Sequence, residues 1–380
     1  MHSPWPLFPV TSVGSWPRPP ALLRALAKGL PEFDALADAA TVAAIRAQEE
    51  AGVDIVVDGE QRRDNFYSFI TGRLSGIRLM TMAELLDYVE DKAAFENLLA
   101  ALDVPAFAIK NPTVVGPLAV TKPLVLDDYR FLRAHTSKPV KVTLPGPYLL
   151  SRSTWVKQLS AGAYPDRESL ADAFVKILHD EALALARAGA EVIQFDEPVL
   201  TELAFAGKSE TRTFMCAALA ASASPEEELR FAVELLNRVV EGVRGSILAV
   251  HICRGNWSQD EGVLLEGSYD RLIPHLAAMK VDQFVLEYAT PRAGSIEALR
   301  GLPRHAQLGF GVVNPRTEEI ERPDDIARRV GEVADLLGAE RIFLNPDCGF
   351  GTFAERPVAT AETAKRKLEA LVAAARLLRG

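Results

Sequence analysis

Short apolar, β-branched runs that stop abruptly at a polar residue recur along this chain, and helical text separates most of them. The runs are Phe8–Val13, Val53–Val57, Val140–Leu144, Glu191–Phe195, Ile247–Val250, Gln283–Leu286, Gln307–Val313 and Arg341–Leu344. Near-continuous apolar text of this length is what a parallel strand buried on both faces requires. Amphipathic stretches predict helices over Pro20–Lys28, Asp34–Ala51, Arg167–Ala188, Ser224 to about Val243, Tyr269–Met279, Pro323–Leu337 and Thr360–Leu378. Ser224-Pro225-Glu226-Glu227 has the form of a capping box with proline at the first helical position. Strand and helix in alternation specify a parallel α/β fold, and eight units predict a TIM (β/α)8 barrel.

Residues 70–137 break the rhythm. Helical text (MAELLDYVEDKAAFENLLAAL) is followed by a proline-containing extended segment, Val104–Leu118. This reads as an excursion inserted after strand two, a hairpin or a lid. No linker-like segment divides the rest, so residues 1–380 read as a single catalytic domain.

The net charge of −9 argues against a nucleic-acid partner, which asks for a basic face. No apolar run approaches the roughly 20 residues needed to span a bilayer, and MHSPWPLFPV lacks the basic start and apolar core of a signal peptide. The expectation is therefore no membrane and a cytoplasmic location. Three cysteines, Cys216, Cys253 and Cys348, make no disulfide framework. In a reducing compartment, cysteines at strand ends serve better as metal ligands or nucleophiles. Cys216, in the stretch TFMCAALA, reads as an ordinary core residue.

Polar residues follow the strands directly, and a barrel builds its active site at that end. His251 and Cys253 follow strand five, two apart, so an extended chain points both the same way. Glu287 follows strand six and Cys348 follows strand eight. A lone buried Cys is commonly just a small hydrophobe. The combination in His-x-Cys and Asp-Cys-Gly contexts instead predicts a Zn²⁺ site of His251, Cys253, Glu287 and Cys348. A small thiol titrates near pH ~8.5, and zinc would keep it as thiolate at neutral pH. Two thiolates and a carboxylate make an electron-rich site, which favours alkyl transfer to sulfur over hydrolysis.

Glu60 and Asp196 follow strands two and four and are the candidate catalytic carboxylates. Together they suit the ammonium group of an amino-acid substrate, with Ser15 hydrogen-bonding its carboxylate. A glycosidase-type acid pair would leave the cysteines unexplained. The plain alternative is structural pairing with Arg62, Arg63 or Arg292.

Six motifs can be read together: T-S-V-G-S-W-P-R-P (11–19), V-D-G-E-Q-R-R-D (57–64), Q-F-D-E-P (194–198), H-I-C (251–253), L-E-Y-A-T-P-R (286–292) and N-P-D-C-G (345–349). In this order, and across almost the whole chain, they resemble the catalytic domain of cobalamin-independent methionine synthase. The resemblance implies a TIM barrel in which His251, Cys253, Glu287 and Cys348 hold zinc. It also implies that Ser15, Glu60 and Asp196 bind homocysteine, which becomes methionine.

Two departures stand out. The family's long enzymes carry a further N-terminal barrel, so this chain reads as the short, core form. They also carry an Asp-x-His-Ser-Pro-like stretch after strand seven, whose His serves proton transfer in folate demethylation. Here that stretch reads G-V-V-N-P-R (311–316). The methyl donor is thus either methyl-tetrahydrofolate or methylcobalamin on a corrinoid protein, and the latter needs no such His. Within the superfamily, epoxyalkane:coenzyme M transferases share the metal motif. Their sulfonate acceptor asks for a basic pocket, for which Glu60 and Asp196 are poor neighbours and only Arg62 and Arg63 speak. A decarboxylase of the uroporphyrinogen type would need no zinc. A non-enzymatic accessory protein would use zinc for structure alone.

Overall fold

The computed structural model describes residues 5–88, 110–205, 224–354 and 356–380. Cys216 and most of the helical text predicted after residue 82 lie outside the described residues.

Six strands form one parallel sheet in sequential order: β3 (Lys141–Pro145), β4 (Val192–Asp196), β5 (Ile247–Ile252), β6 (Gln283–Glu287), β7 (Gln307–Val313) and β8 (Ile342–Pro346). Nearly every position in them is buried. Alternation of side chains splits these residues between two cores. Ile193, Phe195, Val250, Ile252, Phe284, Leu286 and Phe310 join the large core shared with the helices. Val192, Ala249, Val285 and Phe343 pack with Val13 and Ile55 in a smaller core of their own. Gln194 and Asp196, His251 and Glu287 continue that second face toward the C-terminal strand ends.

The first two predicted strands are shorter than the sequence suggests. They contribute isolated parallel bridges, Val10 to Leu344, Thr11 to Ile55 and Val56 to Val140. Pro9 lacks an N–H and Phe8 takes a left-handed φ of 51°, so no ladder extends upstream of Val10.

Around the sheet run α1 (Pro20–Lys28), α2 (Phe33–Ala51), α3 (Leu126–His135), α4 (Pro147–Thr154), α5 (Arg167–Ala188), α6 (Val199–Phe205), α7 (Pro225–Val240), α8 (Pro323–Leu337) and α9 (Ala361–Arg379). The capping box sits on α5, where Asp166 and Ser169 exchange hydrogen bonds. At α7, Ser224 makes no side-chain cap, although Pro225 does occupy the first turn. The helix predicted over 269–279 reduces to a 3-10 turn and one α turn. Pro274, with no N–H to give, sits in that α turn.

Between the second predicted strand and β3, β1 (Leu74–Thr81) and β2 (Lys110–Val120) form a separate antiparallel pair. The helix after it, α3, returns to pack against α2 and α5. Among the described residues no helix is long and apolar enough to cross a membrane.

Candidate metal and substrate site

The register of the sheet brings the site together. Asp196 ends β4 opposite His251 of β5, and Glu287 ends β6. Cys253 follows β5 directly, and Cys348 follows β8 after Asp347.

Among the described residues, the ligand atoms of His251, Cys253 and Cys348 lie within 4.8 Å of one another. Cys348 Sγ is 3.6 Å from His251 Nε2 and 3.9 Å from Cys253 Sγ. The His251 Nδ1–H donates to the Val285 carbonyl at 3.2 Å. A carbonyl only accepts, so this bond puts a proton on Nδ1 and turns Nε2 toward the sulfurs. The Cys348 thiol donates to Cys253, which holds Cys253 well below the ordinary thiol range with help from His251. The same bond holds the Cys348 proton in place and pushes that thiol up. Two sulfurs and an imidazole nitrogen, oriented by an outer hydrogen bond, are a donor set that fits Zn²⁺.

Glu287, the fourth predicted ligand, is placed outside this group. Its Oε1 accepts from Arg292 at 2.7 Å and Arg316 at 3.1 Å, and its Oε2 accepts from the Arg254 N–H at 2.6 Å. Burial works against the charge, but Arg316, Arg292 and Arg254 hold the carboxyl below its ordinary value.

The other predicted residues line the same cavity as the His–Cys–Cys cluster. Glu60 takes a left-handed φ of 54°. Its Oε1 accepts from Thr143 Oγ1 at 2.9 Å and lies 3.6 Å from Arg63. Its Oε2 is buried with no partner among the described residues. Gly14 makes room for this carboxylate, since a Cβ there would come within 2.5 Å of Oε1. Asp196 receives a hydrogen bond from Gln194 Nε2 at 2.8 Å. Burial pushes the Asp196 carboxyl up to about 7, against the pull of His251. Ser15 Oγ accepts from Thr352 N at 2.9 Å and Gly351 N at 3.3 Å, which leaves its proton free to donate. Of the three arginines weighed as structural partners, only Arg63 reaches Glu60. Arg62 pairs with Asp38 and Asp128, and Arg292 with Glu287 and Glu261.

Ser15, Glu60, Asp196, His251, Cys253 and Cys348 all line one small cavity. Phe66, Tyr67, Trp257 and Phe353 wall its remaining side, and no Lys or Arg lines it among the described residues. A larger cleft shares Trp257 and Phe353 with it and runs out past Arg62, Arg73, Lys110 and Lys122.

Sequence reasoning missed Asn256 and Arg316. Asn256 donates to the Gly349 carbonyl and to Thr352 Oγ1, and accepts from Arg316 at 3.2 Å, so it ties down the loop carrying Cys348. Arg316 lies in the N-P-R stretch that stands where the family's His would be. An Arg in a loop carries no periodic signal of burial, and only its packing reveals it.

Comparisons with known proteins agree with this geometry. Residues 8–377 match the family model described as cobalamin-independent synthase, catalytic domain. A methionine synthase of Thermococcus kodakarensis is 30% identical over 352 residues, which cover 90% of this chain and 87% of that protein. One from Pyrococcus abyssi is 30% identical over 383 residues, 98% of this chain and 94% of that protein. A B12-independent methionine synthase from Shewanella sp. W3-18-1, solved with selenomethionine, superposes with a TM-score of 0.73 at 24% identity, covering 98% of each chain. A putative vitamin-B12-independent methionine synthase from Listeria monocytogenes gives a TM-score of 0.66 at 19% identity and covers all of both chains. With a family match spanning the motifs, the strand ends and the His–Cys–Cys cluster alike, the chain belongs to the cobalamin-independent synthase family, catalytic domain.

Proposed function

We propose that this protein transfers a methyl group to the thiol of homocysteine at a zinc site held by His251, Cys253 and Cys348, giving methionine. The chain is a methyltransferase of the methionine synthase type. The observation that carries the zinc and substrate assignments is the composition of one cavity. A His–Cys–Cys cluster shares it with two buried carboxylates, and no Lys or Arg lines it among the described residues.

Zinc there would lower the pKa of a thiol that shares the site. The chain's own residues do the rest. Asp196 and the unpartnered Oε2 of Glu60 meet the substrate ammonium, and the Ser15 hydroxyl donates to its carboxylate. Phe66, Tyr67, Trp257 and Phe353 exclude water from the sulfur. The thiol releases its proton to solvent on binding, and its sulfur forms the new S–CH₃ bond while the donor's bond to the methyl breaks and its electron pair stays with the donor.

The same cavity disfavours coenzyme M as acceptor. A sulfonate wants a cation, and Arg62 and Arg63 are both turned to other partners. The parallel bridges at Val10, Thr11 and Val56 support a closed (β/α)8 barrel, because they join the two edges of the sheet through the first two predicted strands. The excursion expected at about 70–137 would then leave that single domain, with β1 and β2 within it.

The larger cleft is the way in for the donor, methyl-tetrahydrofolate or methylcobalamin on a corrinoid protein. A donor assay tests the proposal: zinc-loaded protein is given homocysteine with each donor, and methionine is counted. Methionine from methylcobalamin alone assigns a corrinoid donor and accounts for the absent His. Methionine from methyl-folate assigns the proton delivery to another residue. Methionine from neither overturns homocysteine as acceptor.

A further inference from the structure

We propose that Arg18 is a positioning residue for amine recognition: it tethers the Glu60 carbonyl, holds that residue in a left-handed backbone and so keeps its carboxylate in the pocket. This role rests on the homocysteine reading above.

Residues with a Cβ avoid the left-handed region. Glu60 nevertheless sits there at φ 54°, directly after Gly59 at φ 70°. Two side chains pin its backbone. Arg18 Nη2 donates to the Glu60 carbonyl at 2.8 Å, and the Asp58 carboxylate accepts from the Glu60 N–H at 3.0 Å. The turn is also bound to the segment that carries Arg18. Trp16 N donates to the Gly59 carbonyl at 2.9 Å, and Gln61 Nε2 donates to the Trp16 carbonyl at 2.9 Å. Pro17 and Pro19 flank Arg18 and narrow its backbone freedom. The same segment begins at Ser15, whose carbonyl accepts from Phe350 N at 2.9 Å. Residues 15–18 thus link the hydroxyl proposed for the substrate carboxylate to the carboxylate proposed for its ammonium.

For the fold alone, Arg18 is a poor choice. It is 5% exposed, and its Nε and Nη1 have no partner among the described residues. Burial pushes its guanidinium down to about 10, against the pull of Glu60 and Asp64, so it stays charged at neutral pH. A buried cation with most of its donors idle costs the fold more than an apolar side chain of similar size. The bond it does make falls on the residue whose Oε2 is left for an ammonium group.

The test is calorimetric binding of homocysteine and of 4-mercaptobutyrate, the same thiol acid without the amine, to the full zinc-loaded chain. Wild type prefers homocysteine, and Glu60→Gln narrows that preference by about tenfold or more, as loss of a charge-assisted hydrogen bond requires. Arg18→Met keeps the apolar stem and narrows the preference by a similar factor, with 4-mercaptobutyrate binding and zinc content unchanged. Arg18→Lys, which keeps a donor, recovers part of it. The Arg18→Met/Glu60→Gln double variant is no worse than Glu60→Gln, because Arg18 acts through Glu60. If Arg18→Met does not fold, Arg18→Gln, too short to hold the Glu60 carbonyl, reports the same narrowing.

An Arg18 variant that keeps the full preference, or weakens both thiols equally, overturns this role while the Glu60→Gln result leaves the homocysteine reading standing. So does a double variant in which the two losses add. A wild-type chain with no preference for the amine, or a Glu60→Gln protein that keeps it, overturns both.

Discussion

Asp196 and His251 face each other across the register of β4 and β5. The carboxylate proposed for the substrate amine and the imidazole proposed for the metal are therefore one strand spacing apart, ~4.8 Å between backbones. The two roles are adjacent but separable. Asp196→Asn keeps the shape and removes the charge, so homocysteine binding should weaken by about 1.5–3 kcal/mol, the worth of a charge-assisted hydrogen bond. Zinc content should stay at the wild-type level. Calorimetric titration with homocysteine, beside metal analysis, separates the two, and equal loss of both would make Asp196 a structural prop of the cluster.

Cys348 donates its thiol to Cys253 and touches His251, so it closes the cluster. Cys348→Ser should strip most of the zinc and abolish methyl transfer. Stoichiometric zinc retained in that variant would remove Cys348 from the set.

Lys141 presents the opposite case, a charge with nothing to hold it. It lies on β3 in the face that carries Thr143, fully buried, and its Nζ has no partner among the described residues. Burial drives its amine down to about 7 from 10.5, with only Asp196 pulling the other way. Between those values the unfolded chain binds the proton and the folded chain does not. Stability of the metal-free protein should therefore rise with pH across the window from about 7 to 10.5, by at most about 1.4 kcal/mol per pH unit. Lys141→Met should abolish that slope and stabilise the fold near pH 7 by about 1–3 kcal/mol, since an unmatched polar group leaves the interior. Urea unfolding at several pH values decides it. An unchanged slope in the variant would assign the pH dependence elsewhere.

Glu181 on α5 accepts from Val125 N and Leu126 N at 2.7 and 2.8 Å, and so caps the start of α3 from outside that helix. Glu181→Ala should cost about 2 kcal/mol and lower the melting temperature, because buried N–H groups at a helix start lose their acceptor. Zinc content should not change. A melting temperature equal to wild type would show that water replaces the carboxylate.

Much of this arrangement is legible in the sequence because burial on both faces writes a strand in unbroken apolar letters. Gln307–Val313 carries that signature over its full length, and Pro323–Leu337 carries the helical period over its own. Ser15, Glu60, Asp196, His251, Cys253 and Cys348 announce themselves as the polar residues at which apolar runs stop. The first predicted strand is overstated, because Phe8 and Pro9 fit its hydrophobicity and not its backbone. Glu287 shows a different limit. Its strand-end position reads as a ligand, but two arginines from separate loops decide where its carboxylate goes, and neither loop has a period to read. The β1–β2 pairing, Thr81 with Lys110, is likewise a long-range match that the local text does not encode.

The bond from Thr352 N to Ser15 Oγ spans 337 positions of the chain. During synthesis, Ser15 therefore leaves the ribosome long before the loop that orients its hydroxyl, and Glu60 and Asp196 long before Cys348. No nascent fragment that ends ahead of residue 348 contains the whole pocket, however well its sheet has begun to form. Assembly must wait for contacts of high sequence separation, the kind that slow folding most. The proposed metal and homocysteine would then bind only after the loop around Thr352 has closed over Ser15.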